Sequence, residues 1–291
     1  MPCPLSNLAP IRSIRSELKV MIPPLVVIRG AGDLATGVAH RLQQSGFKVV
    51  MLELPKPLVV RRTVSFASAV YDGSATVEAV EAKLCSSVDL ISVVLKADKV
   101  ALLIDPRGET LQKLQPKIII DAIMAKTGRT SLLSDAEFVI GLGPGFIAGN
   151  DVHAIVETKR GHTLGKVIYL GKAVADTAEP GLIEGYGKER LLRSPVDGIF
   201  KPLKEIGELI RTGEAVAAVN DQTIRAEIDG LIRGLLYPGL AVKTGMKVGD
   251  IDPRGSKADY LTISDKARAV GGGVLEAIMH RYFFNNNADL L

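Results

Sequence analysis

Apolar positions change their period along this chain, and each change marks an element. Leu25 to Ile28 is a short unbroken apolar run, Thr36 to Gln44 places Val38 and Leu42 four residues apart on one helical face, and Lys48 to Leu52 is again a continuous run. The pattern predicts strand, helix, strand. Further β-branched runs at Val88 to Val94, Val100 to Ile104, Lys117 to Ile120 and Phe138 to Ile140 are bounded by Asp, Pro and Gly and predict buried strands, with a short helix over Thr110 to Leu114. Strands that are apolar throughout are covered on both faces, so the expected class is α/β with a mostly parallel sheet.

From about residue 191 the rhythm changes. Asp197, Gly198, Leu203, Gly207, Thr212, Gly213 and Val216 recur as Asp229, Gly230, Leu235, Gly239, Thr244, Gly245 and Val248, which predicts two similar β half-units. Each half reads as three short strands, the first over Gly198 to Leu203, Glu208 to Ile210 and Ala215 to Val219, with glycine at the reversals. This stretch resembles a biotinyl/lipoyl-type barrel, a barrel-sandwich hybrid. Such carriers hold their modified lysine on the hairpin between the halves, and here that hairpin is Val219-Asn220-Asp221-Gln222-Thr223. It has no lysine, so neither biotin nor lipoate is expected, and the module is expected to dock or cover.

Gly30-Ala31-Gly32-Asp33-Leu34-Ala35 follows the first strand and opens the first helix, the context that a dinucleotide-binding G-x-G-x-x-A turn requires. Gly30 would turn the chain, Gly32 would admit a diphosphate, Ala35 would let the helix pack closely, and Glu53, at the end of the second strand, would accept hydrogen bonds from ribose hydroxyls. The alternative is a tight turn of purely structural purpose. Asp33 complicates the phosphate reading, since a carboxylate suits a helix N-terminus but repels a diphosphate beside it. Arg29, or Arg61 with Arg62 after the Pro55-Lys56-Pro57 turn, could offset it; Arg62 reads equally as a phosphate ligand or as part of a solvated basic face. The expected fold is thus Rossmann-like, with the β-barrel module C-terminal to it.

Other candidates lie further on. Gly141, Gly143 and Gly145 follow a strand and expose backbone amides as an anion-binding loop would. Asp151 and His153 share one face of an expected strand that continues to Glu157, and could do general acid/base work or bind a metal. The structural alternative for His153 is a hydrogen-bonded core histidine. Asp121 and Lys126 stand at the strand edge where doubly wound sheets hold ligands. Gly271-Gly272-Gly273 precedes an expected helix, where Gly272 could present amides to an anion or the triplet could simply permit close helix packing.

Composition removes several classes. With 291 residues, 47% hydrophobic and 23% charged, the chain is neither disordered nor fibrous and can form two or three compact units. Cys3 and Cys85 form no disulfide framework or cysteine-based metal motif, no metal site is expected, and Cys85 reads as a buried structural thiol. The net charge of +4 draws partly on Arg12, Arg15 and Lys19, against Glu17, in the first residues; with aromatics at 4% and no Trp, nucleic acid is not an expected partner. No apolar run is long enough for a bilayer span and the start lacks an unbroken apolar stretch, so a cytoplasmic protein without membrane contact is expected. Expected domains are a flexible extension (1–24), a nucleotide-binding domain (25–190), a lipoyl-like β module (191–255) and a glycine-rich loop and helix returning to the first domain (256–291).

The segments IRGAGDLATGVAHRL, LELPKPLVVRRTVSFASAVYDG, VIGLGPGFIAGNDVHAIVETKRGH, and DPRG followed by TISDKARAVGGGVLEAI resemble the YqeB family in unbroken order from about Leu25 to His280. That family is regarded as accessory to the selenium-dependent molybdenum hydroxylase system, its first domain similar to the XdhC/CoxI maturation factors. The resemblance implies a maturation factor that binds a nucleotide, NAD(P) or molybdopterin cytosine dinucleotide, and meets a hydroxylase apoenzyme and other maturation proteins; a homo-oligomer is compatible with it. Two other classes stay open: an NAD(P)-dependent oxidoreductase with His153 or Lys126 as proton donor, and a non-catalytic scaffold that docks through residues 193–252.

Overall fold

The computed structural model describes residues 23–125, 130–175 and 181–284. The chain begins with β1 (Val26–Arg29), α1 (Asp33–Gln44) and β2 (Val49–Glu53), and continues through α2 (Ala69–Asp72), β3 (Ser74–Val77), β4 (Val80–Leu84), α3 (Ile91–Lys96) and β5 (Val100–Ile104). It then forms α4 (Leu111–Leu114), β6 (Ile118–Asp121), β7 (Phe138–Leu142), β8 (Ala154–Val156) and β9 (Val167–Ile168). These strands make one nine-stranded sheet in the order β3-β4-β5-β2-β1-β6-β7-β8-β9. Pairing is parallel from β4 to β8, and antiparallel hairpins, β3 with β4 and β8 with β9, finish both edges.

Alternation along β1 shows why the sheet needs two covers. Val26 and Ile28 join one apolar core, while Val27 joins a second on the opposite face. On the first face lies α1, and across α1 lies α5 (Asp265–Met279), which the chain reaches only after all its strands. Val38 and Leu42 of α1 pack with Val270 and Val274 of α5, all fully buried, and each such side chain contributes about 1.5–3 kcal/mol by leaving water. On the second face, Ile91 of α3 and Phe146 cover Val50, Ile119 and Val139.

Between the sheet and α5 stand β10 (Leu191–Arg193), β11 (Gly198–Pro202), β12 (Leu209–Ile210), β13 (Ala215–Val219), β14 (Gln222–Arg225), β15 (Gly230–Leu235), β16 (Ala241–Val242) and β17 (Lys247–Asp252). They form two four-stranded sheets, β10-β17-β15-β12 and β14-β13-β11-β16, around a core that includes Phe200, Val216, Val219, Ile232, Leu235 and Val248. The repeat is reciprocal. Asp197 of the first half accepts from Thr244 N–H and Oγ1–H of the second at 2.8 and 2.9 Å, while Asp229 of the second accepts from Thr212 N–H and Oγ1–H of the first at 2.7 and 2.8 Å.

Several expectations are corrected. The Rossmann-like, mostly parallel sheet with a lipoyl-like barrel does not describe this architecture: the large sheet is mixed, with antiparallel edges, and the later strands form two separate antiparallel sheets rather than one closed barrel. Among the described residues, crossover helices are also sparse: α2, α3 and α4 are short, and only α1 and α5 run beyond six residues. Val88 to Val94 is a 3-10 turn leading into α3, not a strand, because its β-branched side chains cover a surface, with only Ile91 buried and Val93 61% exposed. Gly271 to Gly273 lie inside α5 rather than ahead of it; the helix starts at Asp265 and is capped by Ser264, whose hydroxyl accepts from Ala267 N–H.

Candidate functional site: a cleft at the strand ends

The chain leaves β1 for β2 on one side and later returns to β6 on the other, so the C-terminal ends of β1, β2, β5 and β6 diverge around a crevice. A cleft of about 400 Å³ occupies it, lined by Gly30, Gly32, Asp33, Glu53, Asp105 and Met124 among others. Apolar walls come from Leu54, Pro57, Leu58, Val59 and Ile123, the composition usual for small-molecule sites.

The glycine turn is built for this place. Gly30 has φ +95°, and a Cβ there would stand 3.0 Å from the Ala122 carbonyl oxygen, so both conformation and space demand glycine. Gly32 is the N-cap of α1, with no side-chain hydrogen bond to the first turn, and Gly32, Asp33, Leu34 and Ala35 of that turn line the cleft. Ala35 is buried beneath it. Asp33 lines the cleft and its carboxylate lies 3.9 Å from the Arg61 guanidinium.

Glu53 fastens the turn to the second strand. Its Oε2 accepts from Ala31 N–H and its Oε1 from Leu54 N–H, both at 2.7 Å. Burial pushes its carboxyl above the ordinary value, against the pull of those two bonds. Each oxygen keeps a lone pair beyond the one used, and Glu53 lines the cleft.

Asp105, just past β5, was not among the residues that sequence singled out. It accepts from Gly108, Glu109 and Thr110 N–H at 2.8, 3.0 and 2.8 Å and from Thr110 Oγ1–H at 2.6 Å. Burial raises its pKa, but these four donors outweigh that and hold the carboxyl below its usual value. The signal was present in Asp105-Pro106-Arg107-Gly108, an Asp-led turn after an apolar run. Asp121 is fully buried and does not line the cleft: Oδ1 accepts from Ile123 N–H at 3.1 Å and Oδ2 from Ser131 Oγ–H at 2.7 Å, while Arg29 donates to the same Ser131 oxygen at 3.1 Å. Lys126 lies outside the described residues.

Other predicted site residues are elsewhere. Arg62 does not face the cleft: its Nε donates to the Leu235 carbonyl at 2.7 Å and its guanidinium covers the Tyr237 ring at 4.6 Å, so it ties the large sheet to the smaller ones. Asp151 and His153 are not brought together as an acid/base pair. Asp151 is buried in a turn, accepting from Ile147 N–H at 2.8 Å and from Asn150 Nδ2–H at 3.0 Å. Nδ1 of His153 accepts from Val139 N–H at 3.0 Å, and burial, with Arg281 nearby, keeps its ring pKa low. Glu157 accepts from three backbone N–H groups, of Thr158, Lys159 and Val174. The expected strand face through these residues fails because β8 starts only at Ala154.

The anion loop is also displaced. Gly141 sits within β7, where Phe146 would meet its Cβ at 2.5 Å; Gly143 and Gly145, with φ +68° and +114°, lie behind Met124 and Ala125 and do not line the cleft. Gly272 is mid-helix, where its N–H belongs to the helix ladder and not to an anion. Cys85 is buried, burial raises its pKa, and its Sγ is 3.8 Å from the Lys83 carbonyl oxygen.

A glycine turn, a helix N-terminus and a strand-end carboxylate thus bound one crevice at the ends of parallel strands of an α/β unit. The chain is 49% identical over 255 residues, 88% of its length, to a protein of Escherichia coli K12 described as uncharacterized protein YqeB. It spans 47% of that protein's length and is a relative of YqeB over that stretch, so the YqeB resemblance holds there. No family model matches it. Among solved structures, similar chains include an aspartoacylase family protein of Mesorhizobium loti, 11% identical, covering 79% of this chain and 85% of that one, with a TM-score of 0.25. A succinylglutamate desuccinylase/aspartoacylase of Rhodobacter sphaeroides is 12% identical over 79% and 85% of the two chains, with a TM-score of 0.22. Scores this low carry no argument about chemistry. None of these named neighbours is of the XdhC/CoxI type, so the expected XdhC likeness is not supported, and neither is the selenium and molybdenum chemistry that it implied. No helix among the described residues is long and apolar enough to cross a membrane.

Proposed function

We propose that the cleft binds a nucleotide, with the ribose hydroxyls at Glu53, the base between the apolar walls, and the first phosphate reached by the N–H groups that open α1. The observation that carries this reading is Glu53 itself: a mostly buried carboxylate at the end of β2, anchored by two backbone donors, with remaining lone pairs on the cleft. Two vicinal hydroxyls are the donors that such a pair of oxygens suits. A carboxylate already positioned by backbone bonds loses little freedom when a ligand arrives, which favours affinity.

Calorimetry with NAD(H), NADP(H), CTP and ATP, each beside its 2′,3′-dideoxy form where one exists, tests the reading. Wild type is expected to prefer the ribose form. Glu53→Gln, whose amide offers one acceptor where two stood, is expected to lose roughly 10- to 100-fold in affinity, the value of one or two hydrogen bonds to a charged group. Equal affinity for ribo and dideoxy ligands, or no binding of any of the four, overturns it.

A further inference from the structure

A second cavity of about 380 Å³ adjoins the cleft, and Asp33, Leu34, Leu58 and Val59 line both. Beyond them the character of the wall reverses. Arg61 from the loop after β2, Arg160 from the loop after β8, Arg233 from β15, Lys247 from β17 and Lys266 from the first turn of α5 all line it, with Asp33 as the only carboxylate among the described residues of the wall. Five cations from segments far apart in sequence converge there.

The carboxylates that belong to this network stand behind the wall. Asp250, fully buried, accepts from Arg190 Nη1 and Arg233 Nε at 2.6 Å each, from Arg233 Nη2, and from Lys247 Nζ at 3.4 Å. Asp252 holds Arg254, and Asp265 holds Arg160 at 2.6 and 3.0 Å. These partners fix the cations without filling the space in front of them. Arg61 Nε is buried and has no hydrogen-bond partner among the described residues, and Asp33, at 3.9 Å, meets only the far side of that guanidinium. Burial holds the Lys247 ammonium below the ordinary lysine value, and Arg190 and Arg233 add to that against the attraction of Asp250. With those carboxylates behind the wall, the cavity presents a positive face to any anion that enters it.

We infer that this basic pocket receives the phosphate chain of the ligand, a di- or triphosphate whose nucleoside lies in the adjoining cleft, an inference that rests on the proposed nucleotide reading. Asp33 explains the displacement: placed at the first residue of α1, it disfavours a second phosphate beside the glycine turn and directs the chain past itself toward Arg61 and Lys266. Guanidinium forks and an ammonium at the first turn of α5 are the groups that bind phosphate oxygens in pairs and as point charges.

The test uses the full chain and two probes, inorganic tripolyphosphate and a matched set of nucleoside and nucleoside triphosphate, by calorimetry at low and high salt. Wild type is expected to bind tripolyphosphate, more weakly as salt rises, and to bind the triphosphate more tightly than the nucleoside. Lys266→Gln is expected to weaken tripolyphosphate roughly tenfold and to shrink the triphosphate's advantage by the same factor, as the loss of one charged contact predicts. Lys266→Arg, which keeps the charge, is expected to remain within a few-fold of wild type, and thermal melting checks that each variant is folded. Glu53→Gln is expected to leave tripolyphosphate binding unchanged while weakening the nucleoside. Tripolyphosphate binding without nucleoside binding would therefore sink the cleft reading and the inferred ligand but keep the anion pocket. Nucleoside binding with no tripolyphosphate binding, or with an advantage that Lys266→Gln does not alter, overturns the pocket.

Discussion

Replacing two adjacent glycines of α5, one at a time, separates the packing role of the triplet from the anion-binding role that its sequence suggested. At Gly272 an added Cβ meets no atom within 4 Å, so Gly272→Ala gains the helix preference of alanine over glycine, about 1 kcal/mol. At Gly273 the same carbon would stand 2.1 Å from the Gly165 carbonyl oxygen and 2.8 Å from Val156 Cγ1. Neither neighbour yields cheaply: Gly165 has φ +82°, and a Cβ of its own would stand 2.6 Å from the Ala269 carbonyl oxygen. α5 must therefore shift away from the sheet. Overpacking of this kind costs about 1–3 kcal/mol or more, and with a backbone oxygen as the obstacle the upper end applies, leaving a net loss of ~2 kcal/mol after the helix gain. Urea midpoints and thermal melting measure both. Gly272→Ala is expected to raise the melting temperature by about 2–4 °C and Gly273→Ala to lower it by roughly twice that. Shifts of the same sign refute the packing argument. A Gly272→Ala protein that is more stable yet loses affinity for an anion would restore the loop reading.

Two further predictions concern pH. His153 carries a ring pKa below its ordinary 6.5 because it is buried near Arg281, so the unfolded chain takes up a proton first and stability falls as pH drops through about 6.5; melting of His153→Gln is expected to vary less with pH between about 7 and 5, and an unchanged slope counts against it. Asp105, whose carboxyl the Thr110, Glu109 and Gly108 donors hold below 3.8, stabilises the fold above that pH and loses its contribution as pH falls further. Asp105→Asn, which deprives Thr110 of its acceptor, is expected to cost about 1.5–3 kcal/mol near neutrality in urea unfolding and to flatten the acid limb; a loss below ~0.5 kcal/mol would show that the turn stands without it.

What could be read from the sequence follows from whether the signal is local. The turn at Gly30 and the end of β2 at Glu53 are encoded within a few residues, as a positive φ and as an apolar run with its last residue acidic. Val88 to Val94 misled because β-branched residues favour strands only where they are buried, and burial depends on which surface the segment happens to cover. Position within α5 misled for the reason that a glycine triplet looks like a break, while two of its members, Gly271 and Gly273, stand where another backbone approaches too closely for a side chain. His153 looked reactive since a sequence does not show that Val139 N–H occupies its ring nitrogen. The basic pocket was the least legible of all. Arg61, Arg160, Arg233, Lys247 and Lys266 share no spacing, and only the placement of the smaller sheets against the loop after β2 brings them together.

The position of α5 has a consequence for the order in which this molecule can be made. Roughly 220 residues separate the end of α1 from the start of the helix that covers it, which at about 5–20 residues per second is on the order of 10–45 s of translation. Throughout that interval the side of α1 carrying Gly37 and Arg41, against which α5 packs, is without that cover. The nascent sheet must wait on the ribosome with an apolar surface open, while the smaller sheets between, whose Asp–Thr ties cross from one half to the other, can close as soon as both halves have emerged. The inserted unit is thus free to finish before the unit that contains it, and a chaperone that recognises exposed helix surface would find one on α1, the first helix among the described residues.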